Sequence, residues 1–248
     1  MDAPLVPRRR VLRWSGGLMA AVVAPTGLVT AACSTSSGPS AASPARPSSA
    51  GAASPLPPVP PVPSVDGAGT PTLAATLGTR RSVRDFTDVP LTRAELGLLL
   101  WAAQGVTAAN GHRTAPSAGA LYALELYATT AEETLHYLPD GHRTEVWAER
   151  SVAPGLARAT RQDPPGRAPT LVVVTVTPAR LAGKYGGRAG RYADLEAGHA
   201  TQNLLLQAVA LGLGAVPIGS FDDGDVAAVL GLPEGEEPRY VVPVGHPR

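Results

Sequence analysis

A short basic cluster near residue 80 is the first part of the sequence that could do chemistry. It places three arginines and a serine within five residues: Arg80, Arg81, Ser82 and Arg84. Guanidinium groups donate paired hydrogen bonds to phosphate and carbonyl oxygens, and the serine hydroxyl adds a further donor. The cluster therefore predicts a site for a phosphate-bearing ligand, with a solvated basic turn as the alternative.

The neighbouring residues Lys184 and Tyr185 are the second feature that could do chemistry. Lys184 is the only lysine in a chain that is rich in arginine. A lysine amine can accept a proton where its surroundings disfavour the cation, whereas arginine stays protonated. Lys184 is therefore a candidate base, with an ordinary surface lysine as the alternative.

A domain that mixes helices and strands must position these residues. Thr92, followed three residues later by Glu95, predicts a capped helix that ends near Gly105. Apolar, β-prone runs predict strands over residues 121–129, 171–177 and 240–244. Because helices and strands do not alternate regularly, the predicted fold class is α+β.

The longest predicted helix covers residues 192–211. Apolar residues surround most of its circumference, which is typical of a helix buried within a domain or a dimer. Its polar residues fall on one face: Tyr192, Glu196, His199 and Asn203. Glu196 and His199 have the spacing of half a di-iron site, but the sequence contains no second copy, so no metal site is predicted.

Charge and cysteine content exclude several classes of function. Beyond residue 32 the chain has 21 − 4 = 17 basic and 20 − 1 = 19 acidic side chains, a net charge of about −2. A surface with this balance has no electrostatic footprint for nucleic acid. Cys33 is the only cysteine, which excludes intramolecular disulfides and cysteine-rich metal centres.

The first residues resemble an export signal. Arg8 and Arg9 precede an uncharged stretch over residues 14–32, as in a twin-arginine signal. Small residues before Cys33 resemble a lipobox, in which this cysteine would be lipidated. We predict an export signal over residues 1–32 and a lipid anchor on the outer face of the cytoplasmic membrane. A retained membrane anchor or a chance basic start are the alternatives.

Low-complexity sequence separates this signal from the rest of the chain. Ser, Ala and Pro dominate residues 33–71 and predict a disordered linker. Residues 72–248 are then long enough for one domain.

Four segments of that domain resemble, in order, the signatures of the nitroreductase superfamily. They cover residues 80–86, 113–127, 184–203 and 212–221, within a resemblance that extends from about residue 79 to residue 247. Together they are most similar to the SagB-type dehydrogenases, the branch that includes azoline oxidases of peptide modification.

The resemblance implies an α+β homodimer with a central mixed or antiparallel sheet surrounded by helices, and with FMN at the subunit interface. It matches Arg80, Arg81, Ser82 and Arg84 to FMN contacts. It matches Pro116, Ser117 and Ala118 to the loop that reaches the flavin of the opposite subunit, and Pro217, Ile218 and Gly219 to the backbone beside the ring. Arg248 is the one candidate near the C-terminus for a further phosphate contact, and Lys184 and Tyr185 match the catalytic pair.

The function implied by the resemblance is an FMN-dependent oxidoreductase. It would pass hydride between a small organic or peptide-derived substrate and flavin N5, while a base takes the proton. An exported enzyme of this kind could use a membrane quinone as electron acceptor. The alternatives are an NAD(P)H-dependent nitro or quinone reductase and a lipid-anchored binding protein without turnover.

Overall fold

The computed structural model describes residues 53–58 and 71–248. The predicted signal, Cys33 and most of the predicted linker lie outside the described residues. Within the described ranges, none of the helices combines the length and the apolar character that a bilayer crossing requires.

The described residues form seven strands and seven α-helices, with two short 3-10 turns. The strands are β1 (Ser54–Pro55), β2 (Leu124–Thr129), β3 (Thr134–Leu138), β4 (Arg143–Ala148), β5 (Thr170–Val176), β6 (Gly214–Ala215) and β7 (Glu237–Gly245). The helices are α1 (Leu73–Thr79), α2 (Arg93–Gln104), α3 (Ala153–Thr160), α4 (Pro164–Arg167), α5 (Ala179–Tyr185), α6 (Ala189–Ala210) and α7 (Asp223–Leu230). The 3-10 turns cover Ala118–Ala120 and Gly186–Arg188.

All seven strands pair antiparallel in one sheet, in the order β1-β4-β3-β2-β5-β7-β6. Because successive side chains of a strand point to opposite faces, β5 contributes Val172 and Val174 to one core and Val173 to another. Helices α2 and α6 cover the first face, and α3 and α7 cover the second. This architecture confirms the α+β class and the antiparallel form of the predicted sheet.

The predicted helices and strands are present, with shifted ends. Helix α2 begins at the Thr92 cap, where the Thr92 side chain accepts from the Glu95 backbone and the Glu95 carboxylate accepts from the Thr92 backbone. Strand β2 begins at Leu124 and not at residue 121, because the preceding residues form a turn with positive φ angles. The β3–β4 hairpin has no counterpart among the predictions.

Part of the predicted linker belongs to the sheet, which corrects the prediction of disorder for these residues. Ser54 and Pro55 pair with Thr144 and Arg143 at the edge of β4. Leu56, which is 6% exposed, joins the core between the sheet and α2, and its backbone N–H donates to the His142 carbonyl at 3.0 Å. A single apolar residue in the Pro-rich sequence thus anchors residues 53–58, which we call the strap.

Candidate functional site

The arginine cluster lies in an extended segment that runs beside strand β6. Ser82 bridges to Ala215, and the Val83 N–H donates to the Ala215 carbonyl at 3.1 Å. Gly214 permits this approach, since a Cβ at that position would lie 2.6 Å from the Val83 Cβ. The cluster is therefore held next to the backbone that leads into residues 217–219.

The guanidinium groups of this cluster are available to a ligand. Arg81 Nη1 donates only to the carbonyls of Gly78 and Arg80, at 3.1 and 2.8 Å, and Arg84 Nη1 donates to the Ser82 carbonyl at 3.4 Å. Within residues 53–58 and 71–248, neither Arg80, Arg81 nor Arg84 has a carboxylate within 4.0 Å. The positive charge of the cluster is thus not neutralised by the described part of the chain.

Residues 217–219 are fixed to the sheet by their backbone. Ile218 exchanges two hydrogen bonds of 2.9 Å with Val241 of β7, and Val216 donates to the Pro243 carbonyl at 3.3 Å. Ile218 is buried and Gly219 is exposed. Residues 217–219 therefore follow shortly after Ala215, the β6 residue that pairs with Ser82.

The loop that contains Pro116, Ser117 and Ala118 has an unusual backbone. Gly119, Ala120 and Tyr122 have φ angles of 64°, 55° and 49°. Residues with a Cβ seldom adopt this left-handed region, so contacts with the rest of the domain must maintain the conformation. Two of these contacts involve Ser117, whose hydroxyl donates to Glu196 Oε2 at 2.6 Å and accepts from the Tyr122 N–H at 2.9 Å.

Lys184 and Tyr185 lie against this loop at the end of helix α5. A Cβ built on Gly119 would be 2.9 Å from Lys184 Nζ and 2.9 Å from the Tyr185 hydroxyl oxygen. The Tyr185 ring packs edge-on against Tyr192 of α6, with 4.8 Å between centroids. The Lys-Tyr pair and the Ser117 loop, which are far apart in sequence, therefore meet within one protomer.

Arg180 links helix α5 to the sheet. Arg180 Nη1 donates to the Tyr122 carbonyl at 3.0 Å, and its Nη2 pairs with Glu125 of β2. Glu125 and Glu145 each lie 2.9 Å from a ring nitrogen of His136. The helix that carries Lys184 is thus attached to three neighbouring strands.

These buried charges alter one another's titration. Burial alone would lower the pKa of His136, but hydrogen bonds and charge from Glu125 and Glu145 outweigh burial and raise it. Burial alone would raise the pKa of Glu125, but the hydrogen bond with His136 and the charge of Arg180 lower it. Both shifts favour the ion pair.

Arg248 contacts the segment just after the arginine cluster. Its Nε donates to the Phe86 carbonyl at 2.6 Å, and its guanidinium lies 3.7 Å from Asp85 and 3.8 Å from Asp88. Two carboxylates therefore compete with any phosphate for this side chain, and Arg248 is the predicted site residue whose charge is already paired.

The structure adds a buried network that the sequence reasoning did not assign to the site. Glu196 was placed on the polar face of the long helix, and that spacing was the available signal for it. Glu196 is hydrogen-bonded to Gln104 and Ser117, which belong to other elements of the chain. Glu125 and His136 likewise come from different strands. Their encounter depends on strand register and helix packing, which residue spacing does not specify.

The chemistry of the exposed cluster fits a phosphate-bearing cofactor. Its donors for a phosphate are three guanidinium groups, without carboxylate partners in the described ranges, and the Ser82 hydroxyl. The exposed backbone of Gly219 leaves space beside a planar ring. Lys184 and Tyr185 supply groups that can exchange protons at the loop that contains Ser117 and Gly119.

A model of the nitroreductase family matches residues 77–246. The chain belongs to this family, whose members are oxidoreductases that generally bind FMN. The fold and the family together confirm the predicted superfamily and the predicted class of enzyme.

Individual relatives lie within the same family. A Methanocaldococcus jannaschii protein named as a nitroreductase is 38% identical over 67% of this chain and 86% of its own length. The crystal structure of a Ralstonia eutropha protein described as a nitroreductase has a TM-score of 0.66 and 28% identity, covering 79% of this chain and 98% of that chain. The Escherichia coli microcin synthetase complex McbBCD, with truncated pro-MccB17 bound, has a TM-score of 0.61 and 25% identity, covering 68% of this chain and 70% of that chain.

Proposed function

We propose that this protein is an FMN-dependent dehydrogenase of the SagB type, acting on a small organic or peptide-derived substrate. The observation that carries the proposal is the close approach of Lys184 Nζ and the Tyr185 hydroxyl to Gly119 in the Ser117 loop, where a Cβ would lie 2.9 Å from each. This contact places proton-exchanging groups against the loop that the family resemblance assigns to the flavin. The similarity to the McbBCD structure supports the same branch.

Arg80, Arg81, Ser82 and Arg84 would hold the FMN phosphate and ribityl chain. Residues 217–219 would lie beside the ring, because their backbone is fixed to β7 and Gly219 is exposed. Bound FMN supplies two-electron acceptor chemistry at N5. Arg248 contributes to phosphate binding only if Asp85 and Asp88 release it.

Lys184 would accept the substrate proton. Its Nζ, 5.6 Å from the centre of the Tyr185 ring, lies on an exposed part of α5 where a substrate can approach, and it would act in the neutral amine form. Tyr185 would orient the amine or relay its proton, since the hydroxyl and the amine face the same Gly119 backbone. General-base catalysis contributes about 10²- to 10⁴-fold in rate.

The working form would be a homodimer. Leu195 of α6 is 47% exposed, and Leu73 and Leu77 of α1, a helix in contact with α6, are 65% and 54% exposed. Leu73 and Leu77 are four residues apart and share one face of α1, and adjoining exposed apolar side chains are typical of an interaction surface. A mass of two chains for the flavin-loaded protein in solution supports the dimer, and a flavin-loaded monomer contradicts it.

The second candidate is an NAD(P)H-dependent nitro or quinone reductase, which the similarity to the M. jannaschii protein favours. Anaerobic mixing separates the two candidates. Flavin bleaching by an azoline-containing peptide, with slow bleaching by NADH and NADPH, supports the dehydrogenase. The reverse pattern supports the reductase, and a protein that neither contains nor accepts FMN favours the lipid-anchored binding protein.

The predicted export signal suggests where this enzyme would work. We propose that the domain crosses the membrane already folded with FMN, by the twin-arginine route, and stays lipid-anchored through Cys33. A membrane quinone would then be within reach as electron acceptor. Replacing Arg8 and Arg9 by lysine should trap the protein inside the cell, whereas unchanged export of that variant contradicts the proposed route.

A further inference from the structure

Glu196 is a buried carboxylate in the middle of helix α6 that no step of the proposed reaction uses. It is 1% exposed, and within the described ranges no Lys, Arg or His nitrogen lies within 4.0 Å of it. Burial of such a group is unfavourable unless hydrogen bonds compensate it. Its placement among apolar helix residues therefore calls for an explanation.

Three donors from two other parts of the chain converge on this carboxylate. Oε2 accepts from the Ser117 hydroxyl at 2.6 Å and from the Ala123 N–H at 3.4 Å, and Oε1 accepts from Gln104 Nε2 at 3.3 Å. Gln104 in turn accepts from Arg113. Glu196 thus connects α2 and α6 to both ends of the loop over residues 117–123.

Those two ends enclose the strained part of the loop. Gly119, Ala120 and Tyr122 have positive φ angles, and the second hydrogen bond of the Ser117 hydroxyl, from the Tyr122 N–H, closes the turn from inside. Ala120 and Tyr122 would relax toward ordinary φ values if the ends were released. The hydrogen bonds to Glu196 oppose this relaxation at both ends of the loop, and the bond from Arg180 to the Tyr122 carbonyl adds a restraint on its outer side.

The same loop limits the positions of Lys184 and Tyr185, because Gly119 touches both side chains. We propose that Glu196 is a positioning residue that holds residues 117–123 in their strained form and thereby fixes the Lys184–Tyr185 pair. This inference rests on the proposed function, in which that pair handles the substrate proton. Glu196 itself does not touch the reacting atoms.

The network also defines what Ser117 offers to a flavin. A serine hydroxyl has one hydrogen to donate, and Glu196 accepts it. Ser117 can therefore present an acceptor lone pair or its backbone to the cofactor, but not a hydroxyl donor, while Glu196 remains in place.

The test compares wild type, Glu196→Gln and the double variant Glu196→Gln with Ala120→Gly. The amide keeps the size of the side chain and weakens acceptance from Ser117. Glycine at residue 120 adopts the positive φ without strain, so it should restore the loop that the first change releases. Ala131→Gly, in an exposed loop without a positive φ, replaces Ala120→Gly in the matched control.

Hydrogen exchange of the Tyr122 and Ala123 amides in the flavin-free protein measures how firmly the loop is held, independently of catalytic activity. We expect Glu196→Gln to exchange there about fivefold to tenfold faster. Substrate-driven reduction of the flavin-loaded variant should fall about tenfold or more, with FMN content retained. The Ala120→Gly change should recover most of both effects, and Ala131→Gly should recover neither.

Unchanged exchange at these amides in Glu196→Gln overturns the proposal. Faster exchange with an unchanged rate of flavin reduction also overturns it, while the proposed function stands. If wild type binds no FMN, the proposed function fails, and the role given to Glu196 in that reaction fails with it. The exchange data would then still show whether Glu196 holds the loop.

Discussion

Gly119 lies in direct contact with Lys184, so that a Cβ at residue 119 would come within 2.9 Å of the lysine Nζ. Gly119→Ala should displace the lysine and lower substrate-driven flavin reduction by about tenfold, without loss of FMN. The backbone, at φ 64°, adds a stability cost of about 1–2 kcal/mol. Stopped-flow reduction and thermal melting measure the two effects separately.

Gly111 provides the matched control for that change. Its φ is 80°, but its Cβ would meet nothing within 4 Å. Gly111→Ala should therefore lower the melting temperature to a similar degree and leave flavin reduction intact. Equal rates for the two variants would show that the contact with Lys184 has no role.

Arg81→Ala should strip flavin from the purified protein. A charge-assisted hydrogen bond to phosphate contributes about 1.5–3 kcal/mol, which corresponds to a loss of roughly tenfold to 150-fold in affinity. Flavin absorbance after gel filtration measures occupancy, and the flavin released by heat should be FMN and not FAD. Arg167→Ala, an exposed arginine on α4 near Asp163, should keep full occupancy.

Lys184→Ala should retain FMN and the dimer but lose about 10²-fold or more in substrate-driven flavin reduction. Lys184→Arg should be equally slow, because arginine keeps its proton. A purely electrostatic role would survive the change to arginine. If both variants react at the wild-type rate, Tyr185 becomes the candidate base, which Tyr185→Phe would then reveal.

The His136–Glu125 ion pair should make stability depend on pH. The raised pKa of His136 adds stability that is complete below about pH 6.5 and is lost as pH rises through the folded-state value. The lowered pKa of Glu125 adds stability above about pH 4.5 that is lost as pH falls through its folded-state value. The melting temperature should thus be highest between these limits and decline as the pH rises through the folded-state pKa of His136.

Two histidine variants test this origin of the pH dependence. His136→Gln should flatten the decline of the melting temperature above pH 6.5, since it removes the titrating partner of Glu125 and Glu145. His112→Gln, at an exposed loop position, should keep the wild-type slope. An unchanged slope in His136→Gln would assign the pH dependence to other groups.

Leu56→Ala should destabilise the domain although residue 56 lies in a Pro-rich linker sequence. Removal of a buried leucine side chain costs about 2–5 kcal/mol, and the upper end applies only where the site cannot collapse. Val89→Ala is the control, because Val89 is 54% exposed. Denaturant unfolding gives the midpoint of each variant. Equal midpoints for Leu56→Ala and Val89→Ala would mean that the strap is not held against the domain in solution.

The sequence predicted the parts of the fold that depend on local pattern. The Thr92 cap with Glu95 marked the start of α2, and the apolar run before Pro178 marked β5. Ser54 and Pro55 were assigned to a disordered linker, because strand formation there depends on the exposed edge of β4 and on the burial of Leu56. Composition alone reveals neither of these tertiary interactions.

The site was predicted only in part for the same reason. Lys184 and Ser117 were each singled out, but the approach of Lys184 to Gly119 in the loop that contains Ser117 follows from the packing of α5 on the loop. Ala120 and Tyr122 have positive φ angles that their residue types disfavour, so local propensity predicts the opposite conformation. Tertiary contacts maintain the observed conformation, among them the hydrogen bonds to the buried acceptor Glu196 and the bond from Arg180 to the Tyr122 carbonyl.

The strap also covers one end of the sheet's β4 edge, at Arg143 and Thr144. Strand β4 would otherwise end the sheet with a row of unpaired backbone groups, and such edges template association with other chains. Ser54 and Pro55 occupy that edge, and the proline, which has no N–H, cannot extend the ladder outward as a donor. We therefore expect a chain that begins at residue 72 to expose this end of the β4 edge and to associate edge to edge more readily than the full chain.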